Sequence, residues 1–206
     1  HAYLDYLVRN LEKHFKRAHV FNFIGHSREH GLAAAERRIR GLIKENDIHL
    51  VLAMPLATDF ELSPEYYSSL RELAKVVFWF FDDDMFFDSA SKYYARAADA
   101  VITTDYFPAR AYEKLGIPAV YATPIHDPEL FYPVPSAKDI DVCFVGDCTK
   151  ADRMEYLDFL TSNGIEVETY GRGSKNGFLP GERDISAVYS RARIVLTFTR
   201  MDKPGW

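Results

Sequence analysis

Three adjacent carboxylates, Asp82-Asp83-Asp84, stand directly after the apolar run Val76 to Phe81. Such a triplet repels itself and favours a cation, a proton or a solvated turn. Two readings are open for it: a metal-diphosphate site, or an acidic turn that caps the next helix while Met85-Phe86-Phe87 packs beneath. A second constellation is FVGDCTKADRMEYL, which puts Gly146 at a strand end and Thr149, Lys150 and Arg153 about a helix N-terminus. Backbone N–H groups at such a terminus attract an anion, and basic side chains can clamp a diphosphate. The segment has neither the GxGxxG spacing of a dinucleotide fingerprint nor the lysine-serine pair of a P-loop. Arg153 has the alternative reading of an ordinary exposed helix residue.

A third candidate is YGRGSKNG, where Gly171 and Gly173 flank Arg172. Glycines there let the backbone approach a flat ligand closely, or simply make a flexible turn. His26, His30 and His126 are isolated in sequence, and a lone histidine is more often structural than catalytic. His126 is nonetheless a catalytic candidate, with Asp83. Cys143 and Cys148 are too few for a disulfide framework and have no zinc spacing around them, so Cys143 reads as a buried strand thiol and the compartment as the reducing cytoplasm.

These residues need a scaffold, and the pattern around them supplies one. Leu4, Leu7, Val8, Leu11 and Phe15 share one helical face, which predicts a helix over 1–15. A strand is predicted over His19 to Gly25, a helix over 32–46, a strand over 47–55, and a helix capped by Ser63-Pro64 running to about Leu73. A strand at VVFWFF, a helix from Ser89 to Ala97, a strand at DAVITT, a helix from Pro108 to Leu115 and a strand at PAVYAT follow. TPIHDPELFYPVPSA then holds four prolines and reads as a linker. Beyond it come a strand at IDVCFVGD, a helix from about Lys150 to Leu160, a strand at IEVETYG, a glycine-rich loop, a helix from Ile185 to Arg191 and a strand at RIVLTFT. Such alternation calls for crossover connections and parallel strands, an α/β doubly wound fold. Ligands in such sheets bind outside the carboxyl ends of the strands, where Thr58, Asp59, Asp82, Asp105, Gly146 and Gly171 all fall.

The chain has 206 residues and a formal net charge of −5, so a polyanion is a poor partner and no nucleic acid is expected. No apolar run approaches the roughly 20 residues that span a bilayer, so no transmembrane segment is expected. The opening segment HAYLDYLVRNLEKHF shows no basic n-region and no small-residue cleavage site, so it is not expected to be a signal peptide. The element count predicts three parts: a Rossmann-like domain over 1–123, a Pro-rich linker over 124–137, and the front part of a second Rossmann-like domain over 138–206. The chain is expected to be a piece of a longer protein.

The order of these segments resembles GT-B glycosyltransferases: an α/β domain, the linker TPIHDPELFYP, a strand ending FVG and a helix with Arg153. It is most similar to the CgeB-like, spore-maturation-type members, through FWFFDDD, DAVITT, the linker, FVG with its following Arg, YG and ARIVLTFT in that order. The resemblance implies two Rossmann-like domains facing a cleft, with a sugar, glycan or protein acceptor on the first and a nucleotide-diphosphate sugar on the second. Gly146, Thr149, Lys150 and Arg153 would lie near the donor phosphates and Gly171, Arg172 and Gly173 near the base or ribose. Asp82, Asp83 and Asp84 would lie on the acceptor side. The donor would be a co-substrate, with no cofactor and no metal, because helix termini and cations stabilise the leaving diphosphate in this fold. The family's Glu-containing donor helix would follow the last strand. Two alternatives remain open at this point: a non-enzymatic two-lobed module closing on a small ligand, and a metal-dependent glycosyltransferase using Asp82 to Asp84.

Overall fold

The computed structural model describes residues 2–55, 61–122 and 127–198. The chain divides into two compact units, with the boundary between 125 and 126.

Unit 1 begins with three helices, α1 (Ala2–Glu12), α2 (Phe23–His30) and α3 (Leu32–Glu45). The strand expected over His19 to Gly25 does not form. The Asn22 side chain instead accepts a hydrogen bond from the Gly25 N–H at 3.0 Å and starts α2. Gly31, at φ +84°, then ends α2 and starts α3, a turn that needs a residue without Cβ. The four-stranded sheet follows: β1 (Leu50–Ala53), β2 (Lys75–Phe80), β3 (Ala100–Thr103) and β4 (Ala119–Tyr121), all parallel and in sequential order. Between them lie α4 (Pro64–Leu70), α5 (Asp83–Phe86), a π turn (Phe87–Ser91), α6 (Lys92–Ala95) and α7 (Tyr106–Lys114). Ser63 caps α4 as its sequence predicts, accepting from the Tyr66 N–H at 3.1 Å with Pro64 in the first turn.

Strand periodicity sends Val76, Phe78 and Phe80 to one face, where all three are buried beside Val101 and Thr103 of β3. That face packs on helix aromatics, with Tyr67 edge-on to Phe78 at 4.9 Å and Tyr112 against Phe80 at 6.2 Å and Phe87 at 5.0 Å. The helix expected from Ser89 starts earlier, at Asp83, and the π turn interrupts it. The helix expected from Pro108 likewise starts at Tyr106.

Unit 2 holds β5 (Ile140–Val145), α8 (Ala151–Ser162), β6 (Glu168–Tyr170), α9 (Glu182–Arg191) and β7 (Ala192–Leu196). Its three parallel strands run in the order β6-β5-β7. Residues 127–139 have no helix or strand and are strapped to α9 and the start of β7. The Ser186 hydroxyl donates to the Leu130 carbonyl, the Val134 N–H to Ser190 Oγ, Lys138 Nζ to the Ala192 carbonyl, and Arg191 binds both oxygens of Asp139. Both units are thus α/β layers of parallel strands flanked by helices. Among the described residues no helix is long and apolar enough to cross a membrane.

Candidate functional site

In unit 2 the chain leaves β5 through α8 to β6 on one side, then crosses back through α9 to β7 on the other. The strand order therefore reverses at β5, and an open parallel sheet forms its ligand crevice at the carboxyl ends beside such a reversal. The four strands of unit 1 run in sequential order and contain no such reversal. The residues after β5 and β6 are accordingly the candidate site.

Two loops meet there. The Gly146 N–H donates to the Tyr170 carbonyl and the Cys148 N–H to the Arg172 carbonyl, each at 2.8 Å, extending the β5-β6 ladder beyond the strands. The Gly171 N–H donates to the Gly177 carbonyl at 2.7 Å and the Ser174 hydroxyl to the Gly171 carbonyl at 2.8 Å, folding the second loop onto itself. This contact explains the glycines. A Cβ on Gly171, at φ +115°, would land on the Gly146 carbonyl oxygen, and one on Gly173 would meet Thr149 Cγ2 at 2.5 Å. What approaches these glycines closely is the neighbouring loop. A Cβ on Gly146 would strike the Phe144 ring at 2.7 Å.

Charge is organised around Asp147, which the sequence marks only by its place at a strand end. Its carboxylate accepts from the Thr149 N–H at 2.9 Å and the Thr149 hydroxyl at 2.6 Å, an Asx turn that fixes the entry to α8. The Thr149 hydroxyl, then its N–H, then the positive charges of Arg172 and Lys150 hold the Asp147 carboxyl below the usual carboxylate range. Lys150 stands at the cap position of α8 and no side chain caps that helix, so its first-turn N–H groups remain for another acceptor. Lys150 and Arg172 are exposed. Arg153 turns inward: Nη1 donates to the Asp147 carbonyl at 3.1 Å, the guanidinium lies 5.8 Å from the Phe144 ring centroid, and its buried Nε has no hydrogen-bond partner. Phe144 in turn meets Phe198, just past β7, at 4.9 Å. The result is a preformed loop pair with an uncapped helix N-terminus and two exposed cations, chemistry suited to a phosphate-bearing ligand.

In unit 1 the three aspartates separate. Asp82 is exposed and left-handed at φ 54°, Asp84 is exposed, and Asp83 is fully buried. The Asp83 Oδ2 accepts from the Tyr112 hydroxyl at 3.0 Å, and its N–H donates to Asp105 Oδ2 at 2.9 Å. Burial raises the Asp83 carboxyl above its usual range, against the lowering effect of the Ser91, Thr103 and Tyr112 hydroxyls that face it. Those hydroxyls do not complete it, because Oδ1 is buried without a hydrogen bond of ordinary geometry. Asp83 thus ties the β2 exit to α7 and the π turn, which carries buried Ser91. Tyr112 falls inside the helix expected from Pro108 to Leu115, and nothing in its sequence surroundings marks it as the partner of Asp83.

His26 packs against Phe21 at 5.3 Å and His30 at 4.6 Å on α2. His126, Thr58 and Asp59 lie outside the described residues. Cys143 and Cys148 are free and buried, and burial raises both thiols. Among the described residues no group of three or more His, Cys, Asp or Glu side chains is placed to hold a metal ion.

No family model matches this chain, and no curated protein does. Among solved structures, a glycosylation-associated protein complex from Streptococcus agalactiae aligns with a TM-score of 0.43 and 13% identity over 79% of this chain. The chain spans 36% of the length of that one.

Proposed function

We propose that this chain carries the donor loops of a glycosyltransferase that moves a sugar from a nucleotide-diphosphate donor to a sugar, glycan or protein acceptor without a metal ion. The observation that supports it is the loop pair at the carboxyl end of β5, where the strand order reverses and Gly146 and Gly171 bring two loops together. The segment order that resembles the CgeB-like GT-B enzymes points the same way. In glycosyl transfer the bond between the anomeric carbon and the diphosphate oxygen breaks, the acceptor oxygen forms the new bond, and its proton departs. Negative charge grows on the diphosphate. The α8 N-terminus, Lys150 and Arg172 are the groups assigned to stabilise it, with Thr149 beside them. Arg153 acts in this reading by holding the Asp147 carbonyl, and so the loop, in place. Gly171 and Gly173 fix the second loop, which is assigned to the base or ribose, with Arg172 at its diphosphate end. The acceptor is assigned to unit 1, at exposed Asp82 and Asp84, with Asp83 holding their loop.

Calorimetric titration of the 206-residue chain with UDP, GDP and dTDP tests the donor assignment. One of the three is expected to bind, equally well with EDTA present, and to lose about tenfold or more in affinity in Arg172→Glu. Absence of binding by the folded chain would overturn the assignment. Binding only with added Mg²⁺ or Mn²⁺ would overturn the metal-independent part.

A further inference from the structure

A cavity of about 330 Å³ lies in unit 1, away from the aspartates and independent of the glycosyl-transfer reading. It runs along β1, the first edge strand of its sheet, between α1, α3 and the segment 17–21. Its walls are apolar, with Val8 and Leu11 from α1, Ile39 and Leu42 from α3, and Val51 and Leu52 from β1 among them. The space opens to solvent beside Phe15, Val20 and Leu50, apolar side chains that stand exposed and that an occupant would cover. An apolar cavity of roughly 150 Å³ takes one benzene, so this one has room for about twice that, on the order of ten to twelve chain carbons.

The polar lining selects the class of occupant. Among the described lining residues only Arg17, His19 and Tyr67 carry polar side chains, and none carries a carboxylate. The Tyr67 hydroxyl is already committed to Glu61 Oε1 at 2.9 Å. Arg17 and His19 are exposed, and neither makes a side-chain hydrogen bond or ion pair among the described residues. Arg17 is permanently cationic and presents a planar fork that fits a carboxylate. The cavity therefore combines an apolar bore with a positively charged rim. We propose that it binds a medium-chain monocarboxylate, its alkyl chain along β1 and its carboxylate on Arg17.

The test uses the 206-residue chain with dodecanoate below its micellar concentration, compared with dodecyltrimethylammonium and with uncharged phospholipid vesicles. Saturable one-to-one binding of dodecanoate is expected, with neither comparator bound. Arg17→Glu, an exposed substitution, should weaken dodecanoate binding about tenfold or more. Val8→Trp, which fills the bore, should abolish it while circular dichroism and the melting curve stay as in the parent. Equal binding of the alkyl cation, binding to vesicles alone, no binding of dodecanoate, or undiminished binding by Arg17→Glu would overturn the proposal. Should Val8→Trp fail to fold, the Arg17→Glu and alkyl-cation arms decide the outcome alone.

Discussion

Asp82, Asp83 and Asp84 are chemically identical neighbours, and the fold gives one of them a different electrostatic life. Buried Asp83 has its proton affinity raised, so the folded state holds that proton more tightly than the unfolded chain does. Its contribution to stability is fully present below the ordinary carboxylate range and is lost as pH rises through the raised value. Asp83→Asn keeps an acceptor for Tyr112, can donate to the Ser91 or Thr103 hydroxyl, and removes the buried charge. Thermal melts across pH should therefore show a flatter profile for the variant, with stability at neutral pH at least equal to the parent's. A variant that loses more stability at neutral than at acid pH would contradict this account. Which aspartate is buried was not legible in the sequence, because it depends on Tyr112, 29 residues away, and on a π turn that no periodicity announces. The Thr149 and Lys150 helix start was legible from residue types. The role of Asp147 was not, since an aspartate two residues before a threonine looks like any loop acid until the Asx turn closes.

At the scale of elements, local signals with a single physical meaning read correctly. Ser63-Pro64 is one: a hydroxyl acceptor followed by a residue without an N–H starts a helix wherever it stands. Ser63→Ala is predicted to cost about 1 kcal/mol in a denaturation experiment, through the lost bond to the Tyr66 N–H. An unchanged midpoint would contradict the cap. The run from His19 to Gly25 read wrongly because a short apolar stretch fits strand or helix, and the Asn22 cap decided it. The glycines of the second loop were legible as glycines, but their partner was not. Gly171→Ala should cost at least about 2 kcal/mol, from a strained φ and a collision with the Gly146 carbonyl. Hydrogen exchange of the Gly146 and Cys148 amides, which bond across to the second loop, is the readout. Their protection should collapse in the variant, and retained protection would contradict the packing role assigned to Gly171.

For the molecule as a whole, parallel strands were legible from the alternation of strands with helices, while the order of those strands was not. Sequential order in unit 1 and the β6-β5-β7 reversal in unit 2 arise from which side each crossover returns on, and no single residue encodes that. The reversal is what distinguishes the β5 end from the other strand ends that the sequence offered as sites. With a formal charge of −5 spread over 206 residues, affinity for phosphate must come from local arrangement rather than net charge. The most direct measurement follows from that: backbone amide chemical shifts of the labelled chain recorded while a binding nucleoside diphosphate is added. The account predicts shifts concentrated at Gly146 to Asp152 and Gly171 to Ser174, and their loss in the double variant Lys150→Glu, Arg172→Glu. Shifts centred elsewhere, or shifts that survive the double variant, would contradict the assignment of these loops to the donor.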